Sequence, residues 1–195
     1  MRRIQFKPGA GGIGVDACDA LYVPAMQSIY GPILLLATVA AMEGVAYAAH
    51  RWIMHGPGWF LHRSHHRARH GRFEANDLYA VIFAAPSVLL IYGGVQAGWG
   101  EWAVWVGAGI AAYGAIYFGF HDVIVHSRVG HTYVPRSGYM KRIVQAHRLH
   151  HATETRHGSV SYGFIVAPPV ERLKAELGRR GKEGLRAPTG TSVEA

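Results

Sequence analysis

The sequence predicts an all-α, integral-membrane helical bundle, with about three transmembrane helices and a histidine-rich helical cap on the cytoplasmic side. Three observations lead there. Of the 195 residues, 50 % are hydrophobic and only 16 % charged, a low charge content for a soluble domain. Three runs contain no Lys, Arg, Asp or Glu: Ala20 to Met42, Leu78 to Gly100 and Trp102 to Phe120. Each has about the 20 apolar residues that a helix needs to cross roughly 30 Å of hydrocarbon. The third observation is the position of the charge outside those runs.

The net charge is +8, a value that by itself would suit a nucleic-acid binder. Its distribution argues for topology instead. Arg51, Arg63, Arg67, Arg69 and Arg72 lie between the first and second runs, and the other large basic group follows the third. The short link between the second and third runs has no basic residue. This is the positive-inside asymmetry of a multi-pass protein of a cell inner membrane. No nucleic-acid partner is expected. A single cysteine, Cys18, leaves no disulfide framework and no cysteine-ligated zinc or iron–sulfur site within one chain.

Residues 1–27 read as a flexible, Gly-rich extension. They include Gly9-Ala10-Gly11-Gly12-Ile13-Gly14, which matches the dinucleotide fingerprint in letters but lacks the strand and helix that give it meaning. Their three basic residues also oppose the charge rule, so Met26 competes with Met1 as the functional start. The domain proper is expected over 28–177. Its spans run from about Ile29 to His50, Leu78 to Ala97, and past the link Gly98–Glu101 to near Phe120. A turn at Pro135-Arg136-Ser137-Gly138 precedes a helix of about Tyr139 to Ala152, where Ile143, Val144, His147, His150 and His151 share one face. Pro168-Pro169 breaks the chain before a short helix through Leu177. Residues 178–195 read as a disordered tail.

Ten of the thirteen histidines fall into four ordered groups: His50-x4-His55, His62-x2-His65-His66, His121-x4-His126 and His147-x2-His150-His151. An HxxHH group puts three imidazoles on one helical face, within reach of a shared metal. An HxxxxH pair lies about 140° apart on an ideal helix, so that helix must end or bend between the two rings. Gly56-Pro57 directly after His55 predicts such an ending. The hairpin of the second and third spans returns the chain to the face where the first span left His50, so all four groups meet there. Packed charged rings would be costly at a membrane boundary, whereas a metal binds neutral imidazoles. Ten imidazoles point to two metals, and imidazole alone does not choose among Zn, Cu, Fe and Ni. His70, His131 and His157 fall outside the pattern.

The order HxxxxH, HxxHH, HxxxxH, HxxHH resembles the fatty-acid-hydroxylase superfamily of membrane histidine-rich di-iron oxygenases, and within it the bacterial β-carotene hydroxylases. The stretches His50-Arg-Trp-Ile-Met-His-Gly56, Phe73-Glu-Ala-Asn-Asp-Leu-Tyr-Ala80, Gln145-Ala-His-Arg-Leu-His-His151 and Ser161-Tyr-Gly-Phe164 carry that resemblance. His121-Asp122, Val125-His126 and Ala167-Pro-Pro169 add to it. It implies O2-dependent hydroxylation of carbon 3 of a β-ionone ring, from β-carotene through cryptoxanthin to zeaxanthin, by two iron ions on the ten histidines. It also implies a carotenoid substrate and an external electron donor, ferredoxin with its reductase, because the chain has no flavin or haem motif. A fatty acid, a sterol or another carotenoid position is the nearest alternative. A membrane metal transporter would place ligands near mid-span, and a zinc hydrolase would bring a Glu base such as HExxH, which does not occur.

Glu43 is the only carboxylate within an apolar span, seven residues before His50. An ionisable group there is a functional candidate, either behind a ligand ring or along a substrate tunnel. Asn76, Asp77 and Asp122 are further candidates for hydrogen bonding ligand rings, with helix capping as the alternative. Tyr47, Phe83, Tyr113 and Tyr117 are candidates for flanking a polyene, with core packing as theirs.

Overall fold

A computed structural model describes residues 30–67, 71, 73–181 and 184–186. The N-terminal extension with its Gly-rich motif, Met26, Arg69, His70 and Arg72 lie outside the described residues. The described residues are almost entirely helical, as expected. Three spans, Tyr30–Met54, Ala75–Gln96 and Glu101–Val125, are long and apolar enough to cross a membrane, with mean hydropathies of 1.6, 2.0 and 1.5. Little of their surface is covered by the protein itself: 6, 17 and 22 % of the most apolar stretch of each is buried. Ile33, Leu36, Val81, Ile82, Val88 and Leu89 all point outward. Helices that are apolar all round and leave most of that surface outside the protein are covered by lipid. The chain is a membrane protein.

Helix α1 (Tyr30–Ala48) and helix α3 (Leu78–Gln96) flank helix α4 (Glu101–Tyr117). Small residues let them approach. Ser87 donates its hydroxyl to Gly107 O at 2.7 Å, and a Cβ on Gly109 would stand 2.6 Å from Thr38 Cβ and 2.9 Å from Leu35 O. Such close backbone approach replaces the hydrophobic drive that lipid removes.

The first and third spans do not stop where their α-helices do. Each widens into a π-helix, Ala49–Met54 after α1 and Phe118–Val125 after α4. Helix α2 (Trp59–His62) and a 3-10 turn (Ala75–Asp77) lead into α3. Beyond the spans lies the cap. Helix α5 (Gly138–His150) follows the expected turn and is N-capped by Ser137, whose Oγ accepts from Met140 N at 3.2 Å. Helix α6 (Val170–Arg180) follows the two prolines. Its Leu173 and Leu177 pack with Ile143, Ala146, Val160 and Ala167 in a small core. Residues 159–167 form an extended strap between α5 and α6. Within the segment expected to be disordered, residues 184–186 lie antiparallel to 152–154: Glu154 N donates to Gly184 O at 3.0 Å and Arg186 N to Ala152 O at 2.7 Å.

Candidate metal centre

The two π-helices solve the HxxxxH problem. Bending or ending was expected between His50 and His55; instead the helix winds wider. His55 N donates to His50 O and His126 N to His121 O, each at 3.0 Å. These i→i+5 bonds bring residues five apart onto one face, which an α-helix cannot do. Each pair therefore serves one cluster. The HxxHH groups do the opposite. A shared metal was expected for each group, but both are divided.

Ligand nitrogens of His50, His55, His62 and His150 lie within 4.8 Å of one another, and so do those of His65, His121, His126, His147 and His151. His62 and His65, three residues apart in the turn after α2, face different clusters. On α5, His147 and His151 sit one turn apart and join the five-membered cluster, while His150 points to the other side. The two clusters adjoin along this seam, and the His66 ring stacks on His151 at 4.5 Å and lies 4.9 Å from His150.

The hydrogen bonds fix which nitrogen carries the proton. Nδ1 of His50 faces Tyr162 O at 2.9 Å, that of His55 faces Arg156 O at 3.0 Å, and that of His150 faces Val160 O at 3.1 Å. Nδ1 of His62 meets Asn76 Oδ1 at 2.7 Å, and that of His66 meets Thr153 O at 2.8 Å. Nδ1 of His65 meets Glu74 Oε2 at 3.0 Å, and that of His121 meets Asp122 Oδ2 at 3.3 Å. Every partner is an acceptor, so each Nδ1 is the donor and each Nε2 of a neutral ring is a bare lone pair.

Those lone pairs point at each other. Nε2 to Nε2 distances are 3.2 Å for His50 and His62, 3.2 Å for His55 and His150, and 2.9 Å for His65 and His121. None of these three contacts can be a hydrogen bond between neutral rings. A cation between them resolves the conflict: two nitrogens ~2.1 Å from one ion and ~90° apart stand ~3 Å from each other. His66 supplies a second sign. It is fully buried, and its Nε2 has no hydrogen-bond partner. The donor set fits two metal ions.

Burial and neighbouring rings keep the cap imidazoles neutral, as metal ligands must be. Burial lowers His55 to about 4, His66 and His126 to about 3, and His62 to about 2. His65, His147, His150 and His151 are held well below the ordinary range, again chiefly by burial and then by adjacent rings.

Glu43 touches no ring. Its Oε1 accepts from the backbone N–H groups of Phe164, Ile165 and Val166 at 2.9, 3.0 and 3.0 Å, and its Oε2 accepts from Tyr113 Oη at 2.7 Å. It pins the strap that carries the carbonyl acceptors of His50 and His150. Asn76 and Asp122 stand behind His62 and His121, while Asp77 caps Glu74 N at 2.9 Å and reaches Arg128. Of the aromatic candidates, Tyr117 stacks on His121 at 4.6 Å and Tyr113 is spent on Glu43. Tyr47 lies edge-on to Tyr162 at 6.1 Å, and Phe83 is half-buried on α3. Sequence reasoning missed Glu74, Arg128, Tyr162 and Phe164. Phe164 stacks on His50 at 5.4 Å and lies 5.4 Å from His121, spanning both clusters. Three of the four fall inside the motif stretches quoted above, which is the signal that marks them; Arg128 carries none.

Among the described residues, openings reach the rings. A cavity of about 490 Å3 meets His65, His126 and His151 and is edged by Arg67, Arg148 and Arg186. A narrow crevice of about 10 Å3 between Phe120, Val125, Ile143 and Phe164, sharing Val125 with that cavity, reaches His121 and His147.

Two histidine clusters at the end of lipid-facing helices define a class, and the comparisons name it. The chain matches the fatty acid hydroxylase family over residues 35–173 and belongs to that family; it is an oxygenase. Its relatives within the class are specific. It is 51 % identical over 163 residues to the β-carotene hydroxylase of Pantoea ananas, covering 83 % of this chain and 90 % of that one. It is 50 % identical over 150 residues to the β-carotene hydroxylase of Paracoccus sp. (strain PC1), covering 76 % and 91 %. The chloroplastic β-carotene 3-hydroxylase 1 of Arabidopsis thaliana is 32 % identical over 173 residues, covering 84 % of this chain and 55 % of that one. The resemblance carried by the histidine motifs is thereby borne out. No solved structure matches.

Proposed function

We propose that this chain hydroxylates carotenoids, placing a hydroxyl group at carbon 3 of a β-ionone ring and converting β-carotene to cryptoxanthin and then zeaxanthin. The observation that carries the reading is the pair of adjoining Nε2 clusters in a chain 51 % identical to a β-carotene hydroxylase. The four-histidine cluster, with His66 beside it, would hold one iron, and the five-histidine cluster of His65, His121, His126, His147 and His151 the other. With both irons held, O2, two external electrons and two protons turn an unactivated C–H into C–OH plus water.

The protein's own part is to place and isolate that chemistry. The Nδ1 acceptors lock His50, His55, His62, His65, His66, His121 and His150 each in one tautomer, so those lone pairs are aimed before the metal arrives. Phe164 and Tyr117 wall the clusters with apolar surface. The crevice beside His121 and His147 holds only about 10 Å3, so an apolar ring reaches the clusters there only when Phe120, Val125, Ile143 and Phe164 move apart. The polar cavity edged by arginines is the approach for protons, and its basic rim suits an acidic electron donor such as ferredoxin. The arginine-rich end is cytoplasmic by the charge rule, in a cell inner membrane. Residues 28–177 form the hydroxylase domain, between the extension 1–27 and the tail 178–195.

The test is pigment chromatography of β-carotene-accumulating bacteria expressing the full chain or its His150→Ala variant. Zeaxanthin from the first and none from the second is the expected result. Unchanged β-carotene beside a folded, iron-loaded chain would overturn the substrate and direct the search to other lipids.

A further inference from the structure

The two clusters differ in what stands behind their rings. In the four-histidine cluster every Nδ1 partner is neutral: the carbonyls of Tyr162, Arg156 and Val160 and the amide of Asn76. No carboxylate meets a ring of this cluster among the hydrogen bonds of the described residues; Glu43 is spent on the strap backbone and Tyr113. Arg156 Nε donates to His55 O at 3.2 Å, and the Arg51 guanidinium lies 5.5 Å from the centre of the Tyr162 ring. In the five-histidine cluster two of the rings are backed by carboxylates, His65 by Glu74 and His121 by Asp122.

Those carboxylates are not free to turn away. Arg128 leaves the chain just after the second π-helix, and its guanidinium reaches three acidic side chains. Nη1 donates to Asp77 Oδ1 at 2.7 Å. Nη2 stands 3.1 Å from Glu74 Oε1 and Nε 3.0 Å from Asp122 Oδ1, at ion-pair distance but out of hydrogen-bond alignment. One cation against three anions leaves the group acidic. The arginine holds one oxygen of Glu74 and one of Asp122, while the other oxygen of each faces a ring.

We infer that the two metal positions are electronically unequal: Glu74 and Asp122, clamped by Arg128, make the five-histidine position the one that favours the more highly charged ion and gives up an electron first. The inference rests on the two-iron reading above. A carboxylate accepting from Nδ1–H shifts electron density toward Nε2 and makes the imidazole a more basic donor than one backed by an amide or carbonyl. More basic donors and a nearby net negative charge both stabilise ferric over ferrous iron. Glu74, Asp122 and Arg128 are positioning residues that act through His65 and His121. The same position also meets the solvent-facing cavity, which is lined by His65, His126 and His151. Electrons therefore enter and leave beside the more easily oxidised ion.

The experiment is a redox titration of the full chain, purified in detergent and loaded anaerobically with Fe(II), followed by Mössbauer spectroscopy. Iron is counted first: one iron per chain would sink the two-iron reading itself, before any potential is measured. Two irons would oxidise in two steps even at identical positions, because the first ferric ion opposes the second oxidation, so the variants decide. Glu74→Gln is expected to raise the first step toward the second and leave the second in place. Asn76→Asp, which puts a carboxylate behind His62, is expected to lower the second step toward the first. Should Glu74→Gln lose iron, as a 10–100-fold drop in affinity would allow, Asn76→Asp still decides. With two irons bound, a second step unmoved by Asn76→Asp, or a Glu74→Gln effect on the second step, would overturn the inference.

Discussion

Removing the Glu43 side chain should empty part of the metal centre without touching a single histidine. One oxygen of Glu43 accepts three successive backbone N–H groups of the strap, at 2.9 to 3.0 Å, and the other accepts Tyr113 Oη. Bonds to a charged acceptor are worth ~1.5–3 kcal/mol each, and a stranded buried donor costs ~1–3 kcal/mol. Three stranded N–H groups set an upper bound of roughly 3–9 kcal/mol for Glu43→Ala. The half-exposed strap relieves part of that by moving toward water, and the movement is the functional consequence. Tyr162 O and Val160 O leave Nδ1 of His50 and His150, and Phe164 leaves the His50 ring. Loss of such ring partners lowers metal affinity ~10–100-fold. The effect should fall on the four-histidine cluster, because Glu74 and Asp122 are not on the strap. Iron per purified chain should drop from two toward one, with hydroxylation lost. Glu43→Gln, which keeps one acceptor oxygen at about half the bond strength, should fall between. Full iron content and wild-type pigment conversion in Glu43→Ala would refute the reasoning.

Two other outcomes follow from the same geometry. In Gly163→Ala the new Cβ would stand 2.6 Å from Val166 O and 2.7 Å from Glu43 Oε1, closer than real contacts. That overpacking should cost ~1–3 kcal/mol, read as a lower melting temperature together with iron loss; a variant as stable and as iron-rich as the parent would contradict it. Acid should destabilise the metal-free protein. Its cap rings have folded pKa values depressed to about 4 for His55, about 3 for His66 and His126, and about 2 for His62. The unfolded rings take up protons near pH ~6.5. Stability is therefore full above pH ~6.5 and falls as the pH drops toward the folded values, by ~1.4 kcal/mol per pH unit for each such ring. Denaturant midpoints of the chelated protein that stay flat between pH 7 and 5 would contradict the sign.

The sequence alone determined the elements whose cause is local. Spans follow from hydropathy, the start of α5 from the turn Pro135 to Gly138, and the candidate metal centre from residue type and repetition, because ten clustered imidazoles have few other uses. That Glu43 needs partners was also legible, since a carboxylate among Ile, Leu and Val must be satisfied by something. What satisfies it was not legible: its partners lie 121 to 123 residues further along the chain. The winding of Ala49–Met54 and Phe118–Val125 into π-helices was hidden because α and π share the same side-chain types and differ only in which carbonyl each N–H chooses. The partition of the rings was hidden for a related reason. His62 and His65, or His150 and His151, look like one ligand group along the chain, yet they straddle a seam created only when the turn after α2, with His65 and His66, meets His150 and His151 at the end of α5. Arg128 shows the limit most clearly. Nothing nearby in the sequence distinguishes it from the other arginines of the cap; its role arises because folding brings Glu74, Asp77 and Asp122 within ion-pair distance of one guanidinium, and charge reports its partners only in three dimensions.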